Sequence, residues 1–390
     1  MSSLTEANTR FCVDLFNVLA KENPKKNVFC SPMSISAALA MVYLGARGDS
    51  AKQMERALCF DKITGSGSSS PAKGTQCDTP GGLHSQFKEL LAAVNQHNKS
   101  YALSIANRLY GAEEYAFRQQ YLRCTEELYS AQLERVDFLH AAESVRKKIN
   151  SWVESQTNGK IKNLFPPDSI DESTALVLVN ALYFKGKWKK EFAKNDTKEA
   201  PFWISQNQSK NVQMMSQKDV YNWNEIQNPP IDVLELPYDQ CDLSMLILLP
   251  LGKGGLNQLQ EELTYAKFKE WTCPSNMRKQ ELDVYLPKWK LEEEYGLSAT
   301  LQALGMKDVF TRGKADLTGM SESRDLFVSA VVHKAYIEVN EEGTEAAAAT
   351  GVVASPTSAR QVFIANRPFL FCIRHNKTQS ILFVGTVRNP

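Results

Sequence analysis

A chain of 390 residues, 43% hydrophobic and 23% charged, carries ample apolar material for the core of a large soluble protein. Its 45 basic and 44 acidic side chains leave a net charge of +1, which excludes wholesale attraction to nucleic acid or to an anionic membrane surface. No stretch reaches the roughly 20 consecutive apolar residues of a membrane span.

The first 22 residues lack a basic region followed by a long apolar run with a small-residue cleavage site. They read instead as an amphipathic helix with Phe11, Leu15, Val18 and Leu19 on one side. Ser31 and Pro32 pair an N-cap with a proline at the first helical position, and a nearly all-apolar, buried helix follows. Residues 49–58 and 83–95 read as two further helices. Between them, 61–82 is rich in Gly, Ser, Thr and Pro and is expected to be a flexible loop. A helix over 144–158 should turn Val145, Ile149, Trp152 and Val153 inward and end at Gly159. From about Ala175 the pattern becomes β-rich, with runs such as LVLVNALYFKG, LSMLILLP, ELDVYLP, VVHKAYIEVN and SILFVGTV. One short helix, 298–304, interrupts them. Helices first and strands later point to an α+β body around large sheets, taken as one domain over 1–390.

Eight cysteines are scattered without a CxxC pair or a Cys/His spacing, and five histidines show no metal-like spacing. No metal and no cofactor are expected. Cys30, Cys59 and Cys372 sit in apolar runs, so buried free thiols and a reducing compartment are the expectation. Sequons at Asn98, Asn195, Asn207 and Asn376 matter only if the chain is secreted. No GxSxG, HExxH or P-loop string occurs, which argues against an enzyme.

The most informative stretch is 341–350, EEGTEAAAAT. On local pattern alone Ala346 to Ala349 favour a helical surface loop. Read as a strand, alternation sends Thr344, Ala346, Ala348 and Thr350 to one face and Glu345, Ala347 and Ala349 to the other. The first set is small and uncharged, so it needs little room and little desolvation to slide between existing strands.

Separated motifs then resemble one family, in order and at its spacing. They are NVFCSPMSISAALAMVYLGARGDSAKQM at 27–54, INSWVESQTNGKI at 149–161, LVLVNALYFKGKW at 176–188, DLTGMS at 316–321, VVHKAYIEVNEEGTEAAAAT at 331–350 and the closing NRPFLFCIRHNKTQSILFVGTVRNP. Together they resemble the serpins, and within them the ovalbumin-like, clade B group. The tail GTVRNP departs from that group's usual ending. The resemblance implies a serpin fold of three β-sheets and about nine helices, with an exposed reactive-centre loop at about 341–365.

It also implies a mechanism. A protease attacks the loop, forms an acyl-enzyme, and is dragged along as the cut loop inserts into the main sheet. A strand of about ten residues, at roughly 0.5–1.5 kcal/mol net per hydrogen bond, rivals the roughly 5–15 kcal/mol of a whole domain's stability. The hinge would comprise Glu342, Gly343, Thr344, Glu345, Ala346, Ala347, Ala348, Ala349 and Thr350. Family spacing forward from Glu341 and backward from Pro368 both reach Thr357, so the cut bond would be Thr357–Ser358. A threonine suits an elastase-like pocket; Arg360, a rival bait residue, suits a trypsin-like one. Ser31, Ser34, Asn180 and His333 match the family's shutter, and Trp188 matches its breach. The implied partner is a serine protease, or a cysteine protease as a second class. The protein would be a monomer, cytoplasmic or released without a signal peptide. The alternative is a non-inhibitory serpin acting as a binding or storage protein. Only Lys88 is basic on the helix at 83–95, so no heparin-like site is expected.

Overall fold

Ser2 caps the first helix through its hydroxyl, which accepts the Thr5 N–H, and the buried stripe of α1 (Ser3–Glu22) includes Phe11, Leu15 and Leu19. Val18 is only half-buried. The structure is a computed structural model that describes residues 2–64, 76–95, 101–342 and 361–390.

Strand β1 (Val28–Cys30) leads into α2 (Pro32–Gly45), capped by Ser31 and buried at every position except Leu44. Three helices follow, α3 (Gly48–Ala57), α4 (Asp61–Thr64) and α5 (Leu83–Val94). The segment expected as a loop is thus partly helical. Its end is also ordered, because the Asp78 carboxylate accepts the Ser85 N–H at 2.8 Å and so caps α5. Residues 65–75 of that segment lie outside the described residues.

Strand β2 (Tyr101–Ala112), α6 (Gln119–Tyr129), β3 (Leu133–Val136) and α7 (Phe138–Gln156) come next. Helix α7 begins earlier than expected, because the Asp137 side chain accepts the His140 N–H. Strands before residue 175 were not expected. β2 is half-covered along much of its length and mixes polar with apolar residues, so its alternation is weak.

The rest of the chain is mainly β. β4 (Leu176–Gly186), β5 (Lys198–Trp203), β6 (Ser209–Gln227), β7 (Pro230–Pro237) and β8 (Leu243–Pro250) precede α8 (Gly255–Glu262) and α9 (Tyr265–Thr272). Then come β9 (Arg278–Pro287), β10 (Trp289–Gly296), α10 (Ser298–Ala303), β11 (Ala330–Val339), β12 (Gln361–Ile364), β13 (Phe369–His375) and β14 (Ser380–Val387).

Among the described residues these elements make ten α-helices and two hydrogen-bonded sheets. One sheet is ordered β10-β11-β4-β2-β3; the other runs β1-β14-β13-β8-β7-β6-β9-β12, with β5 against β6. The larger network joins two halves because β6 is long. Its first part pairs with β5 and β9, its last part with β7. Strand β4 is buried on both faces except at Lys185, which explains its nearly continuous apolar run. One cover of this sheet is α7, which packs on the adjacent strand β2 and has Ile149 and Val153 buried; Ile161 and Leu164 of the segment after it are buried too. Trp152 is half-buried and stands edge-on to Tyr110 of β2 at 6.2 Å. The other cover is α2, which packs on β2, β4 and β14.

The expectation of free thiols holds for buried Cys12, Cys30 and Cys372, and Cys59 is half-buried. It fails at Cys77 and Cys124, which form a disulfide with Cα atoms 5.2 Å apart. They lie 47 residues apart in no recognisable spacing. Only the packing of α5 on α6 brings the turn holding Cys77 against α6.

Candidate functional site: the β4–β11 seam and the base of the 343–360 segment

β4 and β11 run parallel and adjacent, in register from Val177 opposite Ala330 to Phe184 opposite Ile337. Asn180 and His333 face each other midway along this seam. Both are buried, as are Ser31 and Ser34 on the helix behind. The fold therefore brings the four residues expected to form a shutter, Ser31, Ser34, Asn180 and His333, to one place.

Their bonding fixes the chemistry of the histidine. The Ser31 N–H donates to His333 Nε2 at 3.2 Å, so that nitrogen is the acceptor. Nδ1 then carries the proton and donates to Asn180 Oδ1 at 2.5 Å. Burial holds the imidazole neutral, with its pKa pushed down to about 3. The Asn180 amide donates to Ser34 Oγ at 2.6 Å and to Asn107 Oδ1 of β2. The Ser31 hydroxyl donates to the Leu382 carbonyl of β14 at 2.6 Å. Five side chains thus tie β2, β4, β11, α2 and β14 together through exchangeable polar bonds.

Asn107 was not anticipated. An asparagine within the weak strand pattern IANRLY was its one signal, and only the register opposite Asn180 gives it meaning. Tyr295 was also missed. Its ring lies 6.4 Å from His333 and nearly parallel to it, and its hydroxyl accepts the Phe29 N–H.

Trp188 lies just beyond the end of β4. Its ring stacks on Tyr238 at 4.5 Å, and its Nε1–H donates to the Asn340 carbonyl at 3.0 Å. It therefore touches the residue just after β11, where the breach is expected. The next residues are clamped. The Glu341 carbonyl accepts the Phe192 N–H at 2.9 Å. The Glu341 carboxylate accepts the Thr197 hydroxyl at 2.9 Å and pairs with Lys288 at 2.9 Å. Burial pushes the Glu341 pKa up, but hydrogen bonds from Lys288, the backbone and Thr197 outweigh it and leave the pKa below the usual value. Glu342 pairs with Lys194.

The remaining hinge positions, Gly343, Thr344, Glu345, Ala346, Ala347, Ala348, Ala349 and Thr350, lie outside the described residues. So do Thr357, Ser358 and Arg360. The chain is described again at Gln361, where β12 pairs in parallel with β9. Among the described residues no cluster of His, Cys, Asp or Glu is arranged to hold a metal, and no helix is long and apolar enough to cross a membrane.

Comparison with known proteins gives this geometry a context. Residues 6–390 match the family described as Serpin (serine protease inhibitor). Serpin B3 of Homo sapiens is 49% identical over 393 residues, covering 100% of both chains. The leukocyte elastase inhibitor of Sus scrofa is 47% identical over 396 residues with the same full coverage. The crystal structure of uncleaved ovalbumin superposes with a TM-score of 0.91 at 40% identity, covering 100% of each chain. The loop-inserted structure of a cleaved ovalbumin mutant does so at 0.89 and 38%, again over 100% of each. The chain belongs to the serpin family and, within it, to the ovalbumin-like clade B group.

Proposed function

We propose that this serpin inhibits a serine protease as a suicide substrate, from a single 1–390 domain. The protease cuts the 343–360 segment, stays bound as an acyl-enzyme, and is carried off as the freed hinge enters the β4–β11 seam. The observation that carries this reading is the parallel ladder between those strands. A segment turning back from the end of β11 would run antiparallel to both. One parallel ladder would give way to two antiparallel ones, which are slightly more stable per residue. The polar network at mid-seam supports the same reading, because its bonds can be remade with an incoming strand. The likeness to a cleaved ovalbumin mutant solved as a loop-inserted structure supports this reading.

Thr357–Ser358 is the proposed cut bond, and Arg360 is the competing bait residue. The leukocyte elastase inhibitors among the relatives favour an elastase-like target. A cysteine protease remains the second partner class. Cytoplasmic synthesis is proposed together with release, because the Cys77–Cys124 bond belongs to an oxidising medium. Alkylation of the protein recovered from cytosol and from medium, read by mass, tests this.

The deciding experiment mixes the protein with elastase-like and trypsin-like proteases. An SDS-resistant complex is expected with the former, and the mass of the released C-terminal peptide should place the cut after Thr357. A peptide beginning after Arg360 would reassign the bait. Clean cleavage with no complex would replace inhibition by a binding or storage role. Cleaved protein should melt far above the intact form; coincident melting curves would remove stored folding energy from the mechanism.

A further inference from the structure

Away from the seam, a cavity of about 460 Å³ lies among the end of α2, helices α5 and α6, and the 76–82 turn. That volume is within the range of small-molecule sites. Tyr43, in the last turn of α2, and Arg47, just beyond the end of that helix, both line it.

Tyr43 is only 5% exposed, and its hydroxyl has no hydrogen-bond partner. Its ring lies 6.0 Å from His84, which lines the same cavity, and 5.8 Å from Phe60. Burial first, and then the charge of Glu55, push its pKa up to about 12. The phenol is therefore a neutral O–H donor with nothing to donate to, an arrangement proteins avoid unless a ligand or water supplies the acceptor.

Arg47 is half-buried. Its Nη1 donates to the Leu44 and Ala46 carbonyls at 3.1 and 2.7 Å. Asp316 acts on its charge without a side-chain hydrogen bond, whereas neighbouring Arg118 is paired with Glu322 at 3.3 Å. A Cβ on Gly319 would fall 2.6 Å from the guanidinium carbon, so glycine is what makes room for the cation on that wall. His84 is held neutral by burial, and its Nδ1 lies 2.6 Å from the Tyr129 hydroxyl. The remaining walls are mixed: Leu44, Ile63, Leu83 and Tyr121 give an apolar side, Thr64, Gln76, Thr79, Gln120 and Thr318 a polar one, and the Cys77–Cys124 disulfide borders the rim.

We propose that this cavity binds a small carboxylate with an apolar tail. The carboxylate accepts from Tyr43 and pairs with Arg47, and the tail lies against Leu44, Ile63, Leu83 and Tyr121. One guanidinium without its own ion pair beside a neutral phenol suits a single negative charge. Asp78, whose carboxylate accepts the Thr79 and Ser85 N–H groups on the opposite rim, disfavours a second. The site does not depend on loop insertion.

Titration calorimetry on the intact, disulfide-bonded protein, with octanoate as the probe, tests it. One octanoate should bind per chain, and octanol at least tenfold more weakly. Tyr43→Phe should weaken octanoate at least tenfold without lowering the melting temperature, because the hydroxyl it removes has no partner in the protein. Arg47→Gln, which keeps a donor for the two carbonyls but no charge, should also weaken octanoate and leave octanol unchanged. The proposal is overturned by any of four results. Octanoate fails to bind, octanol binds as tightly, neither substitution changes the octanoate affinity, or inorganic phosphate binds more tightly than octanoate. Binding that emerges only when residues 66–74 are deleted would equally overturn it, by making the chain's own segment the occupant.

Discussion

The β4–β11 seam and the β13–β14 hairpin are both buried strand pairs, but they are held by different chemistry. The hairpin is antiparallel, and its neighbourhood is aromatic, with Phe29 stacked 5.3 Å from Phe383 and 5.9 Å from Phe371. Parting it would return several large apolar side chains to water, at about 1.5–3 kcal/mol each. The seam is parallel and carries the Asn180–His333 pair at its centre. Directional polar bonds can be exchanged for equivalent bonds to an inserted strand, whereas lost apolar contact has no such substitute. The molecule thus sets replaceable polar bonds at the centre of an otherwise apolar seam, where the proposed insertion occurs.

The largest expected effect is on the segment that would enter. Thr344→Arg should convert the protein from inhibitor to substrate, because a charge would have to be buried as the hinge enters the sheet. Gels of protease mixtures should show cleaved serpin and little complex. An unchanged stoichiometry of inhibition would break the link between the seam and function.

Next comes the contrast between the two strand pairs. Asn180→Ala leaves the His333 Nδ1–H, Asn107 Oδ1 and Ser34 Oγ each short of a partner. A loss of about 3 kcal/mol is expected, at about 1–3 kcal/mol per orphaned group with partial relaxation. The variant should also pass more readily into the inserted form on heating. Ile373→Val on β13 should cost about 1 kcal/mol and leave insertion kinetics alone. Equal insertion rates in the two variants would show that the polar cluster is ordinary core.

Much of this was legible in the chain, and the reasons differ by region. Ser31 and Pro32 announce α2 because capping is a local effect, and the nearly continuous apolar run of β4 announces a strand covered on both faces. The shutter set came from matching a family's motifs rather than from periodicity. Asn107 escaped because its role exists only through its register with Asn180 across strands far apart in sequence. The Lys288, Thr197 and Lys194 contacts to Glu341 and Glu342 escaped for the same reason. The disulfide contradicted a compositional argument, since scattered cysteines carry no spacing signal until α5 and α6 pack.

Acid should weaken the seam with a defined sign. His333 is neutral in the fold, with a pKa of about 3 against an ordinary value of 6.5. Between those values the unfolded chain takes up a proton that the native state refuses, so stability falls as pH drops from about 6.5 and levels off near 3. His84, at about 4, adds the same sign. The contribution of His333 is on the order of a few kcal/mol. Urea unfolding across this window should show a shallower slope in His333→Gln, with a remainder from His84. An unaltered slope would mean that the histidine titrates alike in both states.

The smallest effect concerns the clamp at the top of the seam. The Glu341 carboxylate is 8% exposed and Lys288 39%, so the pair is screened on one side only. Lys288→Gln keeps a donor near the carboxylate but removes the charge, and about 1 kcal/mol of stability should be lost. The depressed Glu341 pKa means that its contribution is present above the ordinary carboxylate range and disappears as pH falls through the folded value. Without Lys288 that value rises toward the ordinary one, so the acid loss should shrink and be complete at a higher pH. On the proposed mechanism a looser Glu341 also frees the hinge sooner, so the second-order rate of protease inhibition should rise modestly while stoichiometry holds. If rate and melting temperature both stay put, Thr197 and the Phe192 N–H suffice to hold Glu341, and the clamp is a backbone feature rather than an electrostatic one.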